Sequence, residues 1–241
     1  MTDPPGEVLE WDTAFFGRRV ARVAGGRLDP ARIRELEGWC REGRVDCLYF
    51  EADPADPVTI RAAEDSGFRL MDVRLTLTST GAPADGTAGP AVLRPGELGD
   101  GDVLRAIADT AFRDTRFARD PAFAGRAPEL YRTWITRSLE GWADAVWVGE
   151  FDGRAAGFIT CHLAAPGGRI GLVGVDPGVR RHGLGTDLIR RATAWFRERG
   201  AVPVRVTTQG MNAEAQRLYQ RCGFVTESLR LVYHRWRTPD E

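Results

Sequence analysis

Apolar runs of four to eight residues alternate along this chain with longer segments in which apolar residues return every three or four positions, a pattern that predicts strands interleaved with helices. In the first third, strands are expected at Val20–Val23, 47–51 and 71–77, with helices over 30–42 and 57–66 between them. Further on, a strand at 91–94 precedes helices over 102–112 and 128–139, the second with Leu130, Trp134, Ile135 and Leu139 at helical spacing. Strands at 145–151 and 156–162 are joined through Asp152-Gly153, a hairpin-turn pair. A strand over 170–175 then leads to a helix that opens near Thr186 and stops at Gly200. Next come a strand over 202–207, a short helix opened by Asn212 and closed at Cys222-Gly223-Phe224, and a last strand over 229–236. The expected fold class is α/β (α+β), a mixed sheet with helices on both faces.

Small polar residues, Gly and Pro fill the stretch from Thr78 to Pro90 and read as a linker, dividing the chain into residues 1–78, a linker over 79–90 and residues 91–241. The two pieces share a pattern. Residues 48–77 align without a gap on 204–233, an offset of 156, placing Gly67-Phe68 on Gly223-Phe224, Leu75 on Leu231 and Asp56 on Asn212. This is an internal repeat, a half-copy in which Ala63 stands where the second copy has Tyr219. No Arg-x-x-Gly-x-Gly turn precedes Cys47, so chemistry is expected in the second piece.

Composition narrows the function classes. At 241 residues and 43% apolar content the chain can bury a substantial core, and a formal charge of −1 with scattered arginines provides no basic stripe for nucleic acid. No apolar run reaches membrane-spanning length, and the first residues lack the basic head and apolar segment of a signal peptide, so a cytoplasmic soluble protein is expected. Cys40, Cys47, Cys161 and Cys222 follow no C-x-x-C pattern, and His162, His182 and His234 lack metal spacing; no metal site is expected. All 33 basic residues are arginine, which removes P-loop nucleotide hydrolysis and Schiff-base chemistry, since both need a lysine.

The segment from Ile170 to Gly200 carries the clearest chemistry. A strand runs through Val175-Asp176-Pro177 into Arg180-Arg181-His182-Gly183-Leu184-Gly185 and a helix. Glycines let the main chain approach an anion without a Cβ in the way, and a helix start presents unpaired N–H groups at its positive end. Two glycines near an arginine also describe an ordinary turn. Downstream, however, comes Asn212-x-x-Ala215-x-x-Leu218-Tyr219-x-x-x-Gly223-Phe224. With both motifs in this order the chain resembles the GCN5-related N-acetyltransferase superfamily, which implies that acyl-CoA fold here, preceded by a degenerate half-copy of it, and acetyl-CoA as cofactor. The resemblance implies that Leu172, Val173, Gly174 and Val175 pair with the pantetheine arm, and that Arg180, Arg181, His182, Gly183, Leu184, Gly185 and Thr186 hold the pyrophosphate. It adds Asn212 as a further cofactor contact, which N-capping explains nearly as well. Tyr219 is implied as the proton donor to the departing thiolate, although Ala215, Leu218, Tyr219 and Cys222 also form the stripe of a core face.

The acceptor side is written more softly. Arg113, Arg116 and Phe117 lie in an arginine-rich segment between two predicted helices; the plain reading is a solvated loop, and arginine forks also suit a diphosphate. The run Leu9-Glu10-Trp11-Asp12-Thr13-x-Phe15-Phe16-Gly17, the run Asp114-Thr115-Arg116-Phe117-x-x-Asp120-Pro121 and the two-part layout resemble the dTDP-fucosamine acetyltransferase family. That likeness implies transfer of acetyl to the 4-amino group of a nucleotide-linked 4-amino-4,6-dideoxygalactose. An antibiotic, a polyamine or a protein N-terminus as acceptor, and an acyl-CoA sensor without transfer, stay open as alternatives. Relatives often associate, which implies a homodimer. The strand over 170–175 contains no carboxylate to serve as general base, leaving His162 or Asp114 as candidates, or water acting on an amine of low pKa.

Overall fold

The computed structural model describes residues 4–80 and 91–237, so most of the linker expected over 79–90 lies outside the described residues. It divides into two compact units, residues up to 74 together with those from 229 on, and residues 75–228. The last strand, grouped with the second piece in the sequence reading, therefore falls mostly in the first unit.

The first unit begins with β1 (Gly6–Val8) and α1 (Glu10–Phe16), followed by β2 (Val20–Val23), α2 (Pro30–Glu42), β3 (Cys47–Ala52) and α3 (Pro57–Asp65). β4 (Arg69–Ser79) carries the chain out of this unit. In the second unit the order is β5 (Val92–Pro95), α4 (Gly101–Ala111), α5 (Arg116–Arg119), α6 (Ala127–Arg137), β6 (Ala145–Phe151), β7 (Arg154–Leu163), β8 (Gly168–Val175), α7 (Leu184–Glu198), β9 (Val204–Gln209) and α8 (Ala213–Arg221). β10 (Val225–Trp236) returns the chain to the first unit. β1 and α1 are absent from the sequence pattern because three residues make no readable alternation. α1 is instead closed by Gly17 in a left-handed conformation and stiffened by stacking of Trp11 on Phe15, one turn apart.

In the first unit β2 lies parallel to β3 and antiparallel to β1, while Leu231 to Trp236 of β10 run antiparallel along β3. Leu36, Leu48, Phe50, Phe68 and Tyr233 fill its core, and Trp39 packs against it. α2 starts cleanly because Asp29 accepts hydrogen bonds from the amides of Ala31 and Arg32, at 2.8 Å each, with Pro30 in the first turn.

The helices of the two aligned segments share their local construction. Adding 156 to the bounds of α3 gives those of α8. Asp56 caps α3 through the Thr59 amide, and Asn212 caps α8 through the Ala215 amide. Both helices end in a glycine with φ of 81°, Gly67 and Gly223, after which Phe68 and Phe224 donate back to Ala63 and Tyr219.

The second unit's sheet runs β5-β6-β7-β8-β9, antiparallel except for the parallel pair β8 and β9. Asp152 and Gly153, both at positive φ, close the β6–β7 hairpin as expected. α4 covers one face, where Ile107 approaches Gly174, and α7 covers the other, where Phe196 lies over Gly168. Both units thus mix parallel and antiparallel pairs, as the fold class requires. Among the described residues no helix is long and apolar enough to cross a membrane.

Candidate active site

β8 organises the site through a fault in its pairing. On the β7 side, Ile159 faces Val173 and Cys161 faces Ile170, so three steps along β8 match two along β7. The extra residue is a β-bulge opposite Thr160, whose Oγ1 accepts the Leu172 amide at 2.8 Å. Its effect can be read from two glycines of equal parity. A Cβ on Gly168 would strike Phe196 of α7, whereas one on Gly174 would strike Phe158 on the α4 face. A one-residue slip has turned the strand over.

The other edge of β8 is open. Its ladder with β9 stops at Ile170 paired with Val206, although β9 continues to Gln209. Amides along a strand point to alternate edges. Since the Asp176 amide donates to the Ala156 carbonyl at 2.8 Å and the Leu172 amide to Thr160, the amides of Leu172, Gly174 and Asp176 face β7, and those of Val173 and Val175 face the open edge. Of the four residues expected to pair with a pantetheine arm, Leu172 to Val175, it is Val173 and Val175 whose amides face this edge.

Beyond β8 the chain makes a tight anion-sized turn. Asp176 accepts the Gly178 amide at 2.7 Å, Arg180 is extended, and Arg181 and Gly183 have φ of 67° and 92°. His182 Nδ1 lies 3.0 Å from the Arg180 carbonyl, and its ring rests against Phe151. No side chain caps α7. The Asp187 amide opens its ladder on the Gly183 carbonyl, so the amides of Leu184, Gly185 and Thr186 have no partner within the helix and carry its positive end. Leu184 is itself buried, seated in a notch left by Gly149 and Gly157: a Cβ on either would come within 2.4 or 3.1 Å of its methyls. Its contribution to a ligand is therefore main-chain only. There is open space beside Gly183, and Arg180 and Arg181 next to it are exposed.

α8 lies against this turn. A Cβ on Gly185 would stand 3.2 Å from Leu218 and 3.8 Å from Val175, tying the start of α7, α8 and the end of β8 together. Next to Leu218, Tyr219 is 5% exposed and tilted against Phe224, and burial pushes its phenol far above the ordinary tyrosine value. Asn212 spends its carbonyl oxygen on the Ala215 amide and keeps its amide nitrogen.

The arginine segment does not form one cluster. Thr115 caps the single turn of α5, and Phe117 is buried against Phe123 and Trp134, so this ring is core rather than a surface open to an acceptor. The Arg116 guanidinium covers Phe117 at 4.4 Å, and exposed Arg113 donates Nε to the Asp109 carbonyl. Burial first, and the Arg169 charge second, pull the His162 pKa down to about 4, which makes it a poor general base. All four cysteines are free thiols; burial raises that of Cys161 to about 12 and also raises Cys222, so neither is an activated nucleophile. Among the described residues no three His, Cys, Asp or Glu side chains gather to hold a metal.

Sequence reasoning missed Thr160, Gly171, Gly149 and Gly157. Gly149 lies three residues before Asp152 and Gly157 four after Gly153, so plain hairpin register does not pair them; a register shift between Gly149 and Glu150 brings them face to face.

Comparison with known proteins agrees with this geometry. Residues 107–224 match the model of the acetyltransferase (GNAT) family. The chain is 30% identical to a mycothiol acetyltransferase of Beutenbergia cavernae over 97% of its own length and 82% of the relative's. It is 28% identical to a dTDP-fucosamine acetyltransferase of Escherichia coli over 92% of its length and 94% of that protein's. Among solved structures, a GCN5-related N-acetyltransferase from Sphaerobacter thermophilus superposes with a TM-score of 0.70 at 17% identity, covering 96% of this chain and 76% of that one, and shows the shared fold.

Proposed function

We propose that this chain, which belongs to the acetyltransferase (GNAT) family, transfers acetyl from acetyl-CoA to the primary amine of a small molecule, with a dTDP-linked 4-amino sugar as the favoured acceptor. One observation carries the cofactor half of this reading: an open strand edge ending in an uncapped, glycine-containing helix start. Bound acetyl-CoA supplies an activated thioester. Val173 and Val175 offer amides to the pantetheine amides and to the thioester carbonyl, in the manner of an added strand. Leu184, Gly185 and Thr186, with Arg180 and Arg181 at the rim, take the pyrophosphate. Tyr219 holds its proton throughout the neutral range and presents it to the leaving sulfur. Inert buried cysteines favour direct attack by the amine over an acyl-enzyme.

Similarity to a dTDP-fucosamine acetyltransferase over nearly both full lengths supports the sugar-nucleotide acceptor. Exposed Arg113, with no acidic partner among the described residues, would suit the diphosphate. A second reading, the amine precursor of mycothiol, is favoured by the 30% identical relative. Free thiols accord with a cytoplasmic setting. The test is thiol release from acetyl-CoA with dTDP-4-amino-4,6-dideoxygalactose, with the mycothiol precursor amine, and with polyamine and peptide amines. Turnover selective for the first supports the proposal; selectivity for another amine replaces the acceptor, and no turnover with any despite acetyl-CoA binding favours a sensor.

A further inference from the structure

The bulge in β8 decides which amides reach the open edge, and its cause lies on the neighbouring strand. Bulged ladders leave a residue without its backbone partner. Here the deficit is filled by a side chain: Thr160, fully buried, places Oγ1 2.8 Å from the Leu172 amide and 3.5 Å from His162 Nε2. The Trp142 indole packs edge-on against the His162 ring, 5.1 Å between centroids. The result is a chain that runs from the Leu172 N–H to Thr160 Oγ1 and on to His162 Nε2. A threonine hydroxyl, both donor and acceptor, can stand in the middle of it.

Gly171 completes the arrangement. A Cβ there would lie 2.6 Å from His162 Nε2 and 2.7 Å from Thr160 Oγ1, so any other residue evicts one of them. Straightening the bulge would slip β8 by one residue and exchange the two sets of amides, turning Val173 toward β7.

Resting on the reading of Val173 as a donor to the thioester carbonyl, we propose that Thr160 and His162 form a latch that sets the β8 bulge and thereby aims the Val173 amide, both acting as positioning residues in acyl transfer. The latch is tested first in the free wild-type protein by amide hydrogen exchange. Leu172 is expected to exchange more slowly than Val173 and Val175; equal exchange of the three overturns it. In Thr160→Val, Leu172 exchange should accelerate by about tenfold, the range that one hydrogen bond spans, and Thr160→Ser should restore it. With acetyl-CoA carrying a 13C carbonyl, the infrared band of the bound thioester should move toward its free position in Thr160→Val and stay at the wild-type position in Thr160→Ser, while calorimetric affinity for CoA changes less than about twofold. An unmoved band together with unaltered Leu172 exchange overturns the latch, as does equal loss of CoA and acetyl-CoA affinity. Slow Leu172 exchange restored by serine, with a band that never shifts on binding to the wild type, would keep the latch and discard Val173 as carbonyl donor. Should Thr160→Val not fold, the wild-type comparison and Thr160→Ser decide alone.

Discussion

At the scale of single residues, Tyr219 is a core side chain that is also the proposed proton donor. Its place in an i, i+3, i+4, i+7 stripe describes a buried face, and the ring is indeed buried. Spacing reports only where the Cα–Cβ bond points, so the fate of the oxygen was not legible from it. Tyr219→Phe keeps the packing and removes the proton, so turnover should drop by about 100-fold or more while acetyl-CoA affinity stays within about threefold, compared by steady-state kinetics and calorimetry. His162 makes a prediction of opposite character. Its folded pKa of about 4 lies below the value of about 6.5 expected unfolded, so the unfolded chain binds the extra proton between them. Stability from this group is complete above about pH 6.5 and is lost as pH falls toward 4, by up to roughly 3 kcal/mol. Urea titrations of wild type and His162→Gln should therefore converge or cross on acidification; parallel curves would count against a buried neutral histidine.

Elements are held in place here by absent side chains as much as by present ones. The facing Gly149 and Gly157 admit Leu184, which fixes the first turn of α7 and with it the three free amides. Gly149→Ala would put a methyl 2.4 Å from Leu184 Cδ1, contact with a side chain that is itself enclosed. We expect a stability cost of about 1–3 kcal/mol from overpacking. CoA affinity should fall by about tenfold or more as the donors are displaced. Thermal unfolding and calorimetry read the two effects separately, and unaltered affinity would show that the turn does not depend on its anchor. The helix start was visible in sequence within two residues, because glycine placement and capping act locally. Its anchor was not, because Leu184 meets its notch from residues more than twenty-five positions away.

For the molecule as a whole, the pattern shared by residues 48–77 and 204–233, at an offset of 156, separates common architecture from the proposed chemistry. Asp56 and Asn212 perform the same capping in the two copies. Replacing either with alanine should cost about 1 kcal/mol in urea unfolding. Only Asn212→Ala should also weaken acetyl-CoA binding; an equal effect from Asp56→Ala would place part of the cofactor site in the degenerate copy. Most of the element order, the matching caps at an offset of 156 and the glycine turn before α7 were determined by the sequence by itself, since periodicity, caps and φ-permissive glycines exert their forces over a few neighbouring residues. Tertiary structure alone decided that Phe117 is core, that the last strand joins the first unit, and that Val173 and Val175 rather than Leu172 and Gly174 face the open edge of β8. Those outcomes depend on contacts between segments far apart in the chain: a threonine on β7 filling a gap in β8, and a ladder with β9 that ends after three pairs.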